Sequence, residues 1–322
     1  MQMNLKKEIS MNLTTPKKKI VVIGAGNVGE AVCYTLMVRK QADEIVLVDI
    51  NEPRARAAAL DIAHGTGFYK NVNVYAGGYE ECKDASLIIV TAGVGRKPGQ
   101  TRLELAKTNV AIAKSISKEI MKYAKNPIII VVANPVDTLT YVIRKETGLP
   151  ANQVIGTGTC LDTARIRYHL ANLCKTNVTD IKAYILGEHG DSQVPVYSQM
   201  TIAGEKLEDF ERETGIHVDL EALSETARKS GATIIEGKGA TFYGVSMATS
   251  MIVQAIFDDE NAVIPVSHVI DEGEYAGVAF SLPCIINRTG IVRVIQLPLN
   301  DKEKEGMAHS AEVLRESIAA AE

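Results

Sequence analysis

KKIVVIGAGNVG, residues 18–29, runs a short apolar strand into a glycine loop and out again into a helix. Ile23 leads into GAGNVG, with Gly24, Gly26 and Gly29 at the positions of a GxGxxG pattern. In that pattern the first glycine permits a tight turn and the second lets backbone approach a pyrophosphate. The third lets the helix pack close to the strand, and the helix amino end attracts the anion. Taken alone, the pattern turns up often by chance. Here it follows a strand, opens a helix and is answered by Asp49 at the end of EIVLVDI, 44–50. That is the separation expected for an acid that hydrogen-bonds an adenosine ribose and repels a 2′-phosphate, so NAD is expected over NADP. Ile50 and Asn51 follow without an arginine to reverse that preference. A turn aspartate capping the next helix is the competing reading.

Outward from this segment the chain keeps the same rhythm. ASLIIVTAG (85–93) and PIIIVVANP (127–135) repeat the Val- and Ile-rich, nearly unbroken character of strands buried on both faces. Helix-period patterns lie between the strands, over Val28 to Arg39, Pro53 to His64 and Leu103 to Tyr123. This alternation predicts a parallel, doubly wound (Rossmann) sheet over 19–158. TAG, Thr91, Ala92 and Gly93, ends its strand where ligand contacts belong in an open sheet. Beyond about Thr159 longer helical patterns (Thr163 to Leu173, Leu220 to Gly237, Gly239 to Phe257) mix with strands near 268–271 and 277–283. We read 159–322 as an α+β substrate domain, with the active site in the crevice between the two parts.

Composition excludes several classes. At 322 residues, 46% hydrophobic and net charge −4, the chain is an ordinary globular protein with no basic field for nucleic acid or an anionic membrane. No apolar run nears the roughly 18 residues that cross a bilayer. MQMNLKKEISMNLTTPKKK is basic without an apolar core, so residues 1–18 are expected to be a flexible extension rather than a secretory signal. Glu8 and the absence of arginine there also argue against an organelle transit segment. Cys33, Cys82, Cys160, Cys174 and Cys284 show no ligand or disulfide spacing, which implies buried thiols in a reducing, cytoplasmic setting and no metal.

Two further segments carry chemistry. AYILGEHGDSQVPVYS (183–198) presents His189 at a glycine-bounded turn, and GTGTCLDTARIRYHL (156–170) sets Asp162 and Arg165 three apart on one helix face. Histidine changes charge nearest neutral pH and suits proton transfer. Asp162 and Arg165 by themselves read as a surface ion pair. With the glycine loop in the same chain, these segments make it resemble the lactate and malate dehydrogenases, the NAD-dependent L-2-hydroxy-acid dehydrogenases, from about Lys19 to nearly the carboxyl end.

The resemblance implies roles. His189 takes the hydroxyl proton, Asp162 fixes its tautomer, and Arg165 grips the substrate carboxylate through two parallel bonds. AGVGRKPGQTRLELAKTN (92–109) looks like the family's mobile loop, whose Arg102 polarises the substrate carbonyl on closure. Asn134 touches the substrate oxygen and the nicotinamide side, while Asn27, Val28, Asn109 and Val132 are implied along the cofactor.

The substrate is divided between two readings. Arg96 stands where malate enzymes commonly carry arginine and lactate enzymes glutamine, and a second carboxylate would pair with it. GTGTCLDTAR, HGDSQVPVYS and the pair Thr241 and Val245 resemble the lactate branch. L-lactate dehydrogenase is the expected function, with malate dehydrogenase as the alternative. A non-catalytic NAD sensor would keep the glycine loop and Asp49 without needing His189, Asp162, Arg165 and Arg102 together. NAD-dependent glycosidases of related fold would need metal ligands. The resemblance further implies a homotetramer acting on a small 2-hydroxy or 2-oxo acid. It also implies an allosteric phosphate site at Arg167 and Lys182, weakened because lysine stands where a histidine is expected.

Overall fold

A computed structural model of the chain describes residues 17–69, 71–95, 99 and 101–322. Its first part alternates strand and helix: β1 (Lys19–Ile23), α1 (Asn27–Val38), β2 (Glu44–Val48), α2 (Glu52–Thr66), β3 (Asn73–Ala76), β4 (Leu87–Val90), α3 (Arg102–Tyr123), β5 (Ile129–Val131), α4 (Val136–Thr147) and β6 (Val154–Gly156). β1, β4 and β5 are buried throughout, which is why their sequences are apolar without alternation. The six strands pair in parallel in the order β6-β5-β4-β1-β2-β3, so the chain reverses direction across the sheet between β1 and β4. That reversal opens a crevice at the carboxyl ends of β1 and β4, where the glycine loop and TAG lie.

The second part begins with α5 (Cys160–Cys174), short strands β7 (Ile181–Lys182), β8 (Ile185–Leu186), β9 (Val194–Pro195), β10 (Thr201–Ile202) and β11 (Glu205–Lys206), and helices α6 (Leu207–Thr214), α7 (Leu220–Lys238) and α8 (Tyr243–Phe257). It ends with β12 (Ala262–Val269), β13 (Ala279–Asn287), β14 (Gly290–Val294) and α9 (Asp301–Ala321). β12 joins β6 antiparallel through Ser267 and Gly156, so β12, β13 and β14 extend the parallel strands into a nine-stranded sheet among the described residues.

The two parts also share a core. Ile252, Val253 and Ile256 of α8 are buried with Val32, Cys33 and Leu36 of α1. At the seam the Thr35 hydroxyl donates to Ser246 Oγ over 3.1 Å and Arg39 Nη1 to Ser250 Oγ over 2.7 Å. Fully burying each such aliphatic side chain contributes roughly 1.5–3 kcal/mol, so this seam ties α8 firmly to the first part. The second part has a core of its own as well, with Ile166 and Leu170 of α5 against Ile181, Ile202 and Leu223.

Three features lay beyond the sequence patterns. β3, NVYA, is only partly buried and begins with asparagine, and β6, VIG, offers two apolar residues before its glycine, so neither stands out as an apolar run. α4 begins directly after Pro135, where Asn-Pro reads as a turn. Of the extension expected over 1–18, residues 1–16 lie outside the described residues. Lys18 is tied to the start of β2, its backbone N–H donating to Asp43 Oδ2 over 2.9 Å. All five cysteines are buried free thiols.

Candidate active site

The cofactor cradle is made largely of backbone, and its glycines explain themselves sterically. Gly24 has φ +113°, and a Cβ there would lie 2.6 Å from the Ala92 nitrogen, so β1 and β4 could not approach as they do. A Cβ on Gly29 would lie 1.8 Å from the Gly24 carbonyl, closing the space in which α1 packs on the turn. Gly26 differs. A Cβ there would meet nothing within 4 Å, and the residue caps α1 without a side-chain hydrogen bond. The start of α1 therefore borders open space, the room a pyrophosphate needs beside the free amides of a helix's first turn.

Asp49 is held in place by two backbone donors, Ala25 N–H to Oδ2 at 2.7 Å and Asn51 N–H to Oδ1 at 2.8 Å. The capping alternative is settled against Asp49, because Asn51 caps α2 by accepting from the Arg54 N–H over 3.2 Å. Thr91 Oγ1 donates to the carbonyls of Ile23 and Gly24 at 3.1 and 3.0 Å, pinning the loop to the end of β4.

Around these groups lies a cavity of about 780 Å³. Gly24, Gly26, Asn27, Val28, Gly29 and Asp49 line one side, and Thr91, Ala92 and Gly93 the other. Ile50, Arg54 and Tyr79, with Ile112, Ser115 and Ile116 of α3, complete the wall, and sequence reasoning missed them. Only Ile50 carried a signal, as an apolar side chain after the acid, and it is 98% exposed. Three further residues expected along the cofactor are not in this cavity's lining. Val132 is buried, and Asn134 is exposed beyond β5. Asn109 is buried, with its amide donating to the carbonyls of Val94 at 3.2 Å and Asn134 at 2.7 Å and accepting from the Val94 N–H at 2.9 Å. It joins the start of the 92–109 segment to the turn after β5.

The catalytic group is made of side chains brought from far apart in the chain. α5 is stitched to β8 by Thr159 Oγ1 donating to the Ile185 carbonyl at 2.5 Å and by Ile185 N–H donating to Thr163 Oγ1 at 2.9 Å. This fixes Asp162, in the first turn of α5, beside the loop that follows β8. Gly187 exchanges backbone bonds with Ser281 of β13 at 3.0 and 2.9 Å, and the Glu188 N–H donates to Ser310 Oγ of α9 at 2.7 Å. The His189 N–H donates to Asp137 Oδ2 of α4 at 2.7 Å. Held this way, His189 Nδ1 donates to Asp162 Oδ2 at 2.5 Å. Its Nε2 has no hydrogen-bond partner among the described residues, on a side chain that is 26% exposed.

Arg165 Nη1 donates to the other Asp162 oxygen at 3.0 Å. The pair is not the surface contact its spacing suggests, since the side chains are 14% and 7% exposed. Burial opposes charge on Asp162, yet the His189 and Arg165 cations and their hydrogen bonds hold its pKa below the ordinary value. Burial likewise opposes charge on His189, but Asp162's charge and hydrogen bond, with Asp137's charge behind them, push the imidazole up to about 9. A histidine kept protonated at neutral pH is prepared to donate its proton to a substrate oxygen.

The remaining expected residues lie around this group. The Thr101–Glu104 capping box starts α3 and fixes Arg102 at its amino end. The Arg102 side chain is 76% exposed, and Nη1 pairs with Asp191 at 2.6 Å, two residues past His189. Arg165 packs under α7, where a Cβ on Gly231 would come within 3.4 Å of its guanidinium. Thr241 is half-buried in the link between α7 and α8. Arg96 lies outside the described residues. Arg167 turns inward, Nε and Nη2 both donating to the Ala183 carbonyl at 3.1 and 2.9 Å, while Lys182 is exposed on β7.

Comparison with known proteins shows the family. Residues 18–156 match the family model of the lactate/malate dehydrogenase NAD binding domain, and 159–322 that of the family's alpha/beta C-terminal domain. An L-lactate dehydrogenase of Clostridium perfringens is 41% identical over 309 residues, 94% of this chain and 97% of that protein. One from Priestia megaterium is 42% identical over 308 residues, 94% of this chain and 96% of that protein. The crystal structure of minor L-lactate dehydrogenase from Enterococcus mundtii in its ligands-bound form superposes with TM-score 0.92 at 39% identity, covering 95% of this chain and 99% of that one. The chain belongs to the lactate/malate dehydrogenase family.

Proposed function

We propose that this protein is an NAD-dependent L-lactate dehydrogenase, reversibly converting L-lactate and NAD to pyruvate and NADH. The observation that carries the reading is the buried Asp162–His189 pair whose Nε2 has no partner among the described residues, in a chain that also has the cofactor cradle. The relatives' names support lactate over malate. The three glycines, the amide-lined start of α1 and the Asp49 carboxylate fit an NAD pyrophosphate and adenosine ribose. When bound, that cofactor accepts or donates the two-electron hydride.

The chain's own residues handle the proton and the orientation of the substrate. In lactate oxidation neutral His189 takes the hydroxyl proton on Nε2, and Asp162 stabilises the imidazolium that results. In pyruvate reduction the same nitrogen returns the proton to the carbonyl oxygen. Arg165 binds the substrate carboxylate with a guanidinium already oriented by Asp162. Arg102 leaves Asp191 to polarise the carbonyl, and Asn134 contacts the same oxygen. Thr241 borders the substrate methyl and Arg96 reads the variable end. Residues 19–158 form the cofactor domain, with Asn109 and Val132 shaping its nicotinamide end, and 159–322 the substrate domain.

Self-association as a homotetramer, in the cytoplasm, belongs to the same proposal. Tyr34 and Val38 of α1 and Tyr243, Met247 and Met251 of α8 are large apolar side chains left exposed on neighbouring helices, which supports a subunit contact. Among the described residues no helix is long and apolar enough to cross a membrane. A weakened anion site at Arg167 and Lys182 is also part of the reading. The inward turn of Arg167 supports the weakening. Following NADH absorbance with pyruvate and with oxaloacetate tests the whole: pyruvate should give the larger kcat/KM, and a preference for oxaloacetate would replace lactate by malate.

A further inference from the structure

Asp137, in the first turn of α4, is 2% exposed and meets His189 from a different helix than Asp162 does. Its Oδ2 accepts the His189 N–H, while Oδ1 has no hydrogen bond among the described residues. Ser267 on β12 is fully buried, its hydroxyl acts on the Asp137 carboxyl, and it too has no well-formed partner. Asp137 has no part in the family resemblance set out above, and among the described residues no salt bridge reaches it.

A buried carboxylate is a costly way to hold one backbone amide. Asparagine or serine would accept the same bond without removing a charge from water. The negative charge therefore needs a reason of its own, and the nearest beneficiary is the imidazole whose backbone the acid holds. Burial pushes the Asp137 carboxyl up to about 6, even though the Ser267 hydroxyl, the His189 amide and the His189 cation all favour its charged form. It is thus mostly ionised at neutral pH.

We propose that Asp137 is a positioning residue for the proton carrier: it fixes the His189 backbone and supplies a second negative charge, besides that of Asp162, that keeps the imidazole protonated for the 2-oxo acid. The charge balance around His189 is then complete. Asp162 and Arg165 face it from α5, Asp137 from α4, and Glu188 and Asp191 from its own loop, with Arg102 of α3 paired to Asp191. On β12, next to Ser267 in sequence, the His268 imidazole is buried and its pKa is pulled down by that burial to about 4, so it is neutral and adds no cation. Asp162 alone sits opposite a guanidinium that offsets its charge, and Asp137 restores the excess of negative charge.

The inference rests on His189 being the proton carrier, and the test separates the two. Asp137→Asn keeps an oxygen acceptor for the amide and removes only the charge. The readout is kcat/KM for pyruvate reduction against pH, whose alkaline limb reports the imidazole in the NADH complex. Asp137→Asn should move that limb down by about half a pH unit or more, the direction expected when a nearby opposite charge is lost. Its plateau at lower pH should stay within about threefold of the parent enzyme and its NADH affinity unchanged. Asp137→Ser is the second variant. Its hydroxyl can also accept the amide while the charge is removed, so the limb should move the same way by a similar amount.

A folded Asp137→Asn enzyme with an unmoved limb overturns the proposal. So does a plateau lost together with NADH affinity, because that is a structural role only. Should Asp137→Asn fail to fold, an unmoved limb in Asp137→Ser overturns it instead. His189→Asn measured alongside gives the separation: retained turnover there removes the proton-carrier reading, whereas an inactive His189→Asn beside an unmoved Asp137→Asn limb removes only the present inference.

Discussion

The cofactor cradle stands at the ends of β1, β2 and β4, the proton-transfer group on α4, α5 and the loop after β8, and the two are constructed by different means. The cradle is mostly main chain: Gly24, Gly26 and Gly29 sit within six residues, and Asp49 reaches back to the Ala25 amide from the end of the adjacent strand. The proton-transfer group is mostly side chain. Its His189–Asp162 bond spans 27 residues of sequence, and the His189–Asp137 bond spans 52. A backbone site is specified where it stands, because the allowed dihedrals and the absence of a Cβ are local properties. A side-chain site is specified by the packing of everything between its members, so its parts are cheap to change singly but lose their function at once.

The two sites should therefore fail differently. The largest effect is expected from His189→Asn. Removing the proton carrier should lower turnover about a thousandfold, within the usual range for a general acid–base group. NADH affinity, read by fluorescence titration, should hold, because no bond runs from the His189 side chain to the glycine loop. Loss of NADH affinity in step with turnover would mean that the two sites are one structural unit and that the contrast is false.

How legible each site is in the sequence follows from the same contrast. KKIVVIG, EIVLVDI, ASLIIVTAG and PIIIVVANP announce β1, β2, β4 and β5 because strands buried on both faces must be apolar throughout. The glycine loop and Asp49 are legible from their spacing. β12, β13 and β14 extend the same sheet, and α8 packs on α1, although the change of rhythm after Thr159 suggested a lobe apart. Nothing local encodes such a junction, which rests on Ser267 meeting Gly156 across more than a hundred residues. His189, Asp162 and Arg165 were legible only as short motifs of a familiar family. Asp137 carried no signal at all, since its meaning depends on a loop 52 residues on. The wall residues Ile112, Ser115 and Ile116 were hidden because one turn of an amphipathic helix looks alike whether it faces a core or a ligand.

Next in size is Arg96→Gln, which tests whether substrate choice lies in a single side chain. A desolvated arginine–carboxylate pair is worth several kcal/mol, so kcat/KM for oxaloacetate should fall roughly a hundredfold. Pyruvate should be unchanged or improved. A ratio of specificity constants that moves less than about threefold would show that Arg96 does not read the substrate's variable end, by the magnitude of an exposed pair.

The glycines should separate steric closure from ligand approach. Gly29→Ala places a Cβ 1.8 Å from the Gly24 carbonyl, so the turn must shift. Overpacking of that kind costs about 1–3 kcal/mol, lowering the thermal midpoint by a few degrees and NADH affinity about tenfold or more. Gly26→Ala meets no protein atom within 4 Å and should leave the midpoint alone while weakening NADH binding. Equal midpoints for the two variants would contradict the division of labour among these glycines.

The smallest effect belongs to Asp191, where the two sites meet the lid. Arg102 begins α3, which also contributes Ile112, Ser115 and Ile116 to the cofactor wall, yet its guanidinium is paired to Asp191 in the loop that carries His189. For Arg102 to polarise a carbonyl that ion pair has to break, so Asp191 competes with substrate for the same cation. Both side chains are largely exposed, and such pairs are worth at most about 1 kcal/mol. Asp191→Asn should accordingly lower KM for pyruvate by no more than about fivefold, with kcat little changed. Added salt should narrow the difference between the two enzymes, because it already weakens the pair in the parent. The control is Arg102→Gln with and without the Asp191 change: once the arginine is gone, Asp191→Asn should do nothing further. An effect of Asp191→Asn that persists in the Arg102→Gln background would place Asp191's influence on His189 directly, through the loop they share, and would make the catalytic loop rather than the lid the element that senses this charge.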